Sequence, residues 1–200
     1  MDRINRLYLI RHGQIVGFDK FPICGHTDVG ITEVGFSQLE HLSERLRYAD
    51  IRALYSSDLA RSVDGARIIA RHHIAPLHTL HELREIYFGD WEGKTLSELH
   101  EHYPAELERR KKDPIHFRPP GKGESVIQLS KRILNCVERF LKEQKGHDIA
   151  LVGHGIVNRV ILSDALGLEL DNIFNLQQDY GCLNIIDYFN DHRVVKLLNG

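Results

Sequence analysis

The 200-residue sequence predicts an α/β fold: a three-layer αβα sandwich around a mostly parallel sheet of about six strands. Three observations lead to this prediction. The run Leu7–Ile10 is apolar without a break, which is typical of a strand buried on both faces of a parallel sheet. The run Ile149–Val152 repeats that design. Segments with helical periodicity separate the strands, and the length suits a single domain over residues 1–200.

The first half of the chain alternates strands and helices. A loop over residues 14–30 follows the first strand, and its length indicates a functional role. Thr32 then precedes a helix with a predicted inward face of Phe36, Leu39, Leu42 and Leu46. A second strand over 50–57 ends in Ser56-Ser57-Asp58, which is expected to cap the next helix. That helix carries Leu59, Val63, Ala66 and Ile69, and a short third strand is predicted over 76–80.

The second half begins with an ordered loop over residues 82–93, which holds the single tryptophan, Trp91. Residues 95–113 read as two helical pieces broken near Pro104, and 114–123 as a loop. Together, residues 86–123 are predicted to form a cap or lid. A long amphipathic helix follows, closed by Gly146. After the apolar strand at 149–152 comes another helix, and then two strands over 182–188 and 194–198 joined by a hairpin turn.

Composition excludes several classes of protein. The formal net charge of −2 gives no basic field for nucleic acid. No apolar run approaches the ~20 residues of a membrane helix, and the start has no signal-peptide core. Three widely spaced cysteines make neither a disulfide framework nor a zinc pattern. We therefore expect a cytoplasmic protein without nucleic-acid or membrane partners.

Two local clusters have alternative interpretations. His72, His73, His78 and His81 raise the question of a metal, but they show no clear helical His-x-x-x-His face with a carboxylate partner. Solvated histidines are the favoured interpretation, and no metal is predicted. The basic run Arg109-Arg110-Lys111-Lys112 is interpreted as a solvated helix face, with contact to substrate as the alternative.

Histidines follow both apolar strands, each next to glycine: Arg11-His12-Gly13 and Gly153-His154-Gly155. Arg61 lies in the first turn of the helix after the second strand. The helix dipole disfavours a cation at this end but favours a bound anion, which Arg61 could hold. The carboxyl ends of parallel strands meet at one edge of a sheet. Two guanidinium groups and two imidazoles at that edge predict a phosphate site.

Six blocks in order resemble the histidine phosphatase superfamily, in its phosphoglycerate-mutase-like branch, over nearly the whole chain. They are Leu9-Ile10-Arg11-His12-Gly13, Gly25-His26-Thr27-Asp28 with the segment 31–35, the segment 56–62, Leu83-Arg84-Glu85-Ile86 with 88–93, Gly123-Glu124-Ser125 and Val152-Gly153-His154-Gly155. Within the superfamily, the segments 85–92, 123–125 and 179–182 look most like the alpha-ribazole phosphatases.

The resemblance implies roles for particular residues. His12 would attack phosphorus and carry a phosphohistidine, while Arg11, Arg61 and His154 would hold the phosphoryl oxygens. Glu85 would protonate the leaving alcohol and then take a proton from water. A backbone carbonyl on the second ring nitrogen of His12 would keep the attacking nitrogen unprotonated. Further phosphate contacts are expected from Gln14, Cys24, Gly25 and Gly155. No metal or other cofactor is expected.

The sequence departs from the family pattern at three positions. Ile15 and Phe18 stand where the family has threonine and asparagine, and Gly65 replaces a threonine. Loss of the asparagine removes a neutral donor to phosphate, which is worth about 1 kcal/mol. Gln14 or backbone N–H groups of the loop would have to compensate.

The resemblance leads us to expect hydrolysis of a small phosphorylated metabolite, with alpha-ribazole 5′-phosphate as the specific candidate. The segment between Glu85 and His154 is shorter than in the mutases of the family, which favours water over a re-bound intermediate. Mutase-type phosphotransfer is the first alternative. A non-enzymatic module that binds a phosphorylated ligand is the second. Members of the family often pair, so a homodimer is a further expectation.

Overall fold

A six-stranded sheet forms the centre of the computed structural model, which describes residues 2–20 and 23–200. Its spatial order is β3-β2-β4-β1-β5-β6. The four strands from β3 to β1 in this order are parallel, whereas β5 runs antiparallel to β1 and β6 antiparallel to β5. The strands are β1 (Asn5–Arg11), β2 (Ile51–Ser56), β3 (Leu77–Thr79), β4 (Asp148–Gly153), β5 (Leu183–Tyr188) and β6 (Arg193–Leu197).

Helices cover both faces of the sheet, which confirms the predicted αβα sandwich. They are α1 (Glu33–Leu46), α2 (Ala60–Ala70), α3 (Leu96–His102), α4 (Pro104–Lys112), α5 (Val126–Glu143) and α6 (Gly155–Leu166). Short 3₁₀ helices lie at His81–Leu83, Gly89–Trp91 and Leu170–Asn175. None of the helices within residues 2–20 and 23–200 is long and apolar enough to cross a membrane.

Strand β1 divides the core into two halves, because its side chains alternate between the two faces of the sheet. Leu7 and Leu9 pack in the cluster formed with α5 and α6. Tyr8 and Ile10 pack in the cluster formed with α1 and α2. All four are buried, which explains the apolar run without a polar break.

The register of the parallel strands brings their polar ends together. Arg11 at the end of β1 pairs with Gly153 at the end of β4. On the other side of β4, Val152 pairs with Ser56 at the end of β2. The residues that follow these three strands therefore begin at the same edge of the sheet.

Two local predictions about the helices were wrong. Phe36 was predicted to face the core, but it is exposed on α1. Gly35, the residue before it, faces inward, because α1 packs closely against the backbone at Gly13. The residues Ser56–Asp58 do not cap α2. Its N-cap position is Leu59, and the backbone N–H of Ala60 donates to Asp28 in the distant 23–30 loop at 2.8 Å. Nothing in the spacing around residue 60 indicates a cap supplied from so far away.

Residues 86–123 pack around a small core of their own. Trp91 is completely buried and clusters with Leu99 and Leu107, with Phe88 and Phe117 against them. The two helical pieces, α3 and α4, lie as predicted on either side of Tyr103. In the loop predicted over 14–30, residues 21 and 22 lie outside the described residues.

Candidate active site

His12 lies at the end of β1 and is held by its backbone and its ring. Its N–H donates to the carbonyl of Gly153 at 3.1 Å, and its own carbonyl accepts from Gly181. Its Nδ1 lies 2.8 Å from the carbonyl oxygen of Gly13. Because a carbonyl only accepts, Nδ1 carries the proton and Nε2 keeps its lone pair. This is the tautomer that a nucleophilic imidazole requires.

Burial and nearby cations keep His12 neutral. The side chain is almost completely buried. Burial lowers its pKa well below the ordinary value of 6.5, and the charges of Arg61 and Arg11 lower it further. The unprotonated imidazole is therefore the stable form at neutral pH.

His154 lies beside His12 and is completely buried. The ring centroids are 5.2 Å apart and the planes meet at 63°. Nε2 of His154 lies 2.8 Å from the Ser57 hydroxyl oxygen, which also accepts the N–H of Leu59 at 3.3 Å. Burial, followed by the charge of Arg61, lowers the pKa of His154 well below 6.5.

The contact with Ser57 leaves one nitrogen of His154 free. Among the described residues, Nε2 is the one acceptor within hydrogen-bond distance of the Ser57 hydroxyl, so we assign the hydroxyl proton to this bond, which places the ring proton of His154 on Nδ1. That Nδ1 is buried and has no hydrogen-bond partner within the described part of the chain. An unpaired buried donor of this kind is suited to an acceptor oxygen brought by a ligand.

Arg11 and Arg61 are held by backbone carbonyls. Arg11 donates to Gln178 at 2.6 Å, and its guanidinium lies 4.0 Å from the centre of the Tyr180 ring. Arg61 is 1% exposed and donates to the carbonyls of Thr27 and Gly25. Neither guanidinium has a carboxylate partner among the described residues, so both keep their positive charge available to an anion.

The Glu85 carboxyl group bridges two parts of the chain. One oxygen accepts the N–H of Ile86 at 2.9 Å and the other accepts the N–H of Ile156, in the first turn of α6, at 3.0 Å. The side chain is 7% exposed. These contacts keep the carboxyl at the wall of the same cavity as His12.

A cavity of about 160 Å³ joins these groups. Its lining includes the predicted residues Arg11, His12, Cys24, Arg61, Glu85 and Gly155. His154 is not among the lining residues, but its ring centroid lies 5.2 Å from that of His12. Two of the predicted contacts are not among the lining residues: the Gln14 side chain accepts from Thr32 at 2.9 Å, and Gly25, whose carbonyl accepts from Arg61, packs against Ile86 and Glu92. A larger cavity of about 470 Å³, which Asn5 and Tyr188 help to line, lies at the opposite end of the sheet.

Three polar neighbours of the site were not predicted. Ser57 contacts His154, Tyr180 contacts Arg11, and Arg159 of α6 lines the cavity while donating to Leu176 at 2.7 Å. Ser57 lies in the same segment, 56–62, as Arg61, and its position just after a strand end was the available signal. No local pattern distinguishes Tyr180 or Arg159 from other loop and helix residues.

The departures from the family pattern have distinct structural settings. Ile15 is buried and lines the cavity, whereas Phe18 is exposed. A Cβ atom at Gly65 would lie 3.0 Å from Val152 and 3.2 Å from Leu39, which is tighter than ordinary packing. Glycine at position 65 therefore lets α2 lie close to β4 and α1.

The clustered histidines have separate neighbours: His72 lies 2.9 Å from Glu44, and the His78 ring stacks on Tyr55. Across the positions that the structure describes, no group of three or more His, Cys, Asp or Glu side chains could hold a metal ion.

The chain is similar in sequence and in structure to known proteins. The sequence model of the histidine phosphatase superfamily (branch 1) matches residues 7–200. The adenosylcobalamin/alpha-ribazole phosphatase of Salmonella typhimurium is 27% identical, with 97% of this chain and 96% of that protein covered. The phosphoglycerate mutase-like protein 4 of Arabidopsis thaliana is 32% identical over 80% of this chain and 70% of its own length. The crystal structure of the alpha-ribazole phosphatase from Shigella flexneri superimposes with a TM-score of 0.89 at 26% identity, covering 98% of this chain and 96% of that one.

Proposed function

The chain belongs to branch 1 of the histidine phosphatase superfamily and is an enzyme of the phosphatase class, and from this premise we propose that it hydrolyses a small phosphomonoester through a phosphohistidine at His12. The observation that carries the proposal is the shared cavity. A neutral imidazole with its Nε2 free, a carboxyl and three guanidinium groups, those of Arg11, Arg61 and Arg159, lie around one space of about 160 Å³. This space suits a phosphoryl group.

In the first half of the reaction, Nε2 of His12 attacks phosphorus and the P–O bond to the leaving group breaks. Glu85, entering this step protonated, gives its proton to the leaving oxygen, so that an alcohol departs. The bond between Nδ1 of His12 and Gly13 keeps the ring aligned during the attack. The phosphohistidine retains the three oxygens of the transferred group.

In the second half, a water molecule attacks the phosphohistidine and the P–N bond breaks. Glu85, now a carboxylate, takes a proton from this water. Inorganic phosphate leaves, and His12 returns to its starting state. One carboxyl group therefore serves as acid and then as base, which suits its fixed position beside the cavity.

The charge on the phosphoryl oxygens is balanced by protein groups. Arg11 and Arg61 supply two fixed positive charges beside the cavity, and Nδ1 of His154 supplies a donor with no other partner among the residues described. Donors held in place before the reaction stabilise the transition state without reorganising. We therefore propose that the reaction proceeds without a metal ion.

We further propose that residues 86–123 act as a cap over this cavity. Phe88 lines the cavity, and the cluster around Trp91 holds the remainder of the segment as a unit. A cytoplasmic location and a homodimer stay predictions from the sequence.

The substrate that we propose for the first test is alpha-ribazole 5′-phosphate. Support comes from the names of relatives such as the Salmonella typhimurium and Shigella flexneri proteins, at 26–27% identity over nearly the full chain. Because the mutase-like protein of Arabidopsis thaliana is also a relative, membership in the family does not by itself select the substrate.

The test is release of inorganic phosphate from a panel of phosphomonoesters by EDTA-treated protein. The panel contains alpha-ribazole 5′-phosphate, sugar phosphates, nucleotides and p-nitrophenyl phosphate. Wild-type protein should release phosphate from at least one compound, and His12→Ala should abolish release. His116→Ala is a matched control, because His116 is exposed and the one side-chain partner that the described residues give it is Asp113.

The alternatives give different products. An isomerised phosphoester in place of free phosphate would indicate a mutase. Tight binding of phosphoesters with no turnover and no ³¹P signal of phosphohistidine would indicate a binding module. Either result would contradict the proposed hydrolysis.

A further inference from the structure

Arg110 differs from its neighbours in the basic run of α4. Arg109 and Lys111 are exposed and form ion pairs with Glu106 and Glu108 one turn earlier, at 3.3 and 2.7 Å. Arg110 is half-buried, and no residue that the structure describes gives it a hydrogen bond or an ion pair. The solvated helix face predicted for the run therefore fits Arg109 and Lys111 but not Arg110.

Packing explains why Arg110 points inward. It follows the buried Leu107 by three residues and so lies on the same face of the helix. Its guanidinium carbon is 5.9 Å from the centre of the Trp91 ring, within range of a cation–π contact. Such a contact holds the cation over the ring but uses none of its N–H donors, all of which stay available.

The surroundings of Arg110 make a partner favourable. Burial lowers the pKa of Arg110, although an arginine stays charged at neutral pH. A cation that has lost part of its water and has no acceptor is destabilised until an acceptor reaches it. Glu124 lines the same narrow cavity, but both of its oxygens are engaged by Arg132, at 3.0 and 2.7 Å.

Arg110 also lines two of three adjoining spaces, the first of which is the phosphate cavity. Phe88 and Ile156 line both that cavity and a narrow space of about 20 Å³ next to it. Arg110 and Phe174 line both this narrow space and an outer, mostly apolar cavity of about 400 Å³. Each of the three spaces therefore shares lining residues with the next, and Arg110 lines both the narrow space and the outer cavity.

We infer that these adjoining spaces form the binding site for the leaving group, and that Arg110 selects phosphomonoesters with an apolar, flat leaving group that ends in a hydrogen-bond acceptor. The inference rests on the proposed function, since it extends the site of His12. Phe88 and Ile156 contact the apolar body, and Arg110 donates to the far end. A ring nitrogen, a carbonyl oxygen or a carboxylate can each accept from a guanidinium, and the carboxylate gains most.

The test compares three aryl phosphates of nearly equal shape: 4-carboxyphenyl, 4-acetylphenyl and 4-ethylphenyl phosphate. For each, kcat/KM is measured with wild type, Arg110→Met and Arg109→Met. The ratio of wild type to variant for one substrate cancels the intrinsic reactivity of its leaving group. Arg109→Met is the matched control, because Arg109 is exposed, lies 5.9 Å from the centre of an aromatic ring (Phe117) as Arg110 does from Trp91, and lines none of the three spaces.

Arg110→Met should lower kcat/KM about 10- to 100-fold for the carboxylate and about 3- to 10-fold for the ketone, in line with the worth of charged and neutral hydrogen bonds. It should leave the ethyl compound within about twofold, since that compound offers no acceptor. Arg110→Lys should retain part of the preference for the carboxylate. Equal losses on all three compounds would indicate a purely structural role and overturn the inference, as would no loss on any.

A binding measurement separates this inference from the proposed reaction. Calorimetry of 4-carboxyphenyl and 4-ethylphenyl phosphate uses His12→Ala with and without Arg110→Met. Weaker binding of the carboxylate alone in the double variant supports the subsite even if wild type hydrolyses none of the compounds. Equal affinities with and without Arg110 would overturn the subsite even if hydrolysis is established.

Discussion

The hydroxyl oxygen of Ser57 lies 2.8 Å from Nε2 of His154, and both side chains are completely buried. The pair joins the end of β2 to the residue after β4. It mirrors the bond between His12 and the Gly13 carbonyl, because in each case a neighbour selects the tautomer with its proton on Nδ1. The two imidazoles thus have opposite tasks: His12 offers Nε2 as a nucleophile, and His154 offers Nδ1–H as a donor.

Replacement of Ser57 by alanine removes the group that fixes the tautomer of His154. We expect Ser57→Ala to lower kcat by about tenfold or more with little change in KM, since the donor acts mainly on the transition state. Steady-state kinetics check this. Ser56→Ala is the control: Ser56 precedes Ser57, is completely buried, and its hydroxyl has no partner among the described residues. Equal losses in both variants would contradict a specific role for Ser57.

The lowered pKa of His12 predicts a pH-dependent stability. Below about pH 6.5, His12 binds a proton in the unfolded chain but stays unprotonated in the folded chain. The free energy of unfolding therefore falls as the pH falls. The slope reaches about 1.4 kcal/mol per pH unit for one such histidine. His12→Asn removes this contribution. Urea unfolding between about pH 5.5 and 6.5, in buffer without phosphate, should give a shallower slope for the variant. Parallel curves for the two proteins would contradict the shift.

Gly25 lies where the 23–30 loop touches the segment after Glu85. A Cβ atom there would collide with the carbonyl of Ile86 and with Glu92. We expect Gly25→Ala to lower the free energy of unfolding by about 1–3 kcal/mol and to reduce activity, since the Gly25 carbonyl also accepts from Arg61. Gly30→Ala, in the same loop and with nothing within 4 Å of its Cβ, is the control. Thermal unfolding of both variants measures the difference. Equal stability of Gly25→Ala and Gly30→Ala would contradict a destabilising collision at position 25.

Tyr180 lies against Arg11 beside the phosphate cavity. Loss of the ring in Tyr180→Ala removes a cation–π contact and exposes the guanidinium to water, and we expect kcat/KM to fall about 2- to 30-fold. The control is Tyr48→Ala, which removes a similar pair with Arg47 from an exposed surface. Its kinetics should match wild type. A wild-type rate for Tyr180→Ala would show that Arg11 needs no support from the ring.

The sequence predicted best where one physical requirement acts on a short segment. A strand that is buried on both faces must be apolar, so β1 and β4 were recognisable, as was the edge where His12 and His154 follow them. The placement of Arg61 at that edge came from the order of the elements, whereas the place of Glu85 in the site came from the family resemblance. Neither required knowledge of a distant contact.

Prediction failed where a distant contact decides the outcome. The donor to the Asp28 carboxylate is Ala60 at the start of α2, and the partner of the Ser57 hydroxyl is His154; both pairs depend on how loops cross the sheet edge. Arg110 looked like its charged neighbours because the burial of one residue in a basic run depends on helix rotation against Trp91. Local spacing carries no information on these contacts.

The position of β1 between β4 and β5 also governs when the protein can fold during synthesis. The ribosome makes β1 first, yet its two hydrogen-bonded neighbours, residues 148–153 and 183–188, come from the last third of the chain. Strand β1, which leads to His12, therefore stays unpaired and apolar while most of the domain is translated. Pairings so remote in sequence fold slowly and leave such segments open to aggregation, so we expect a nascent chain that stalls before β4 to depend on chaperones.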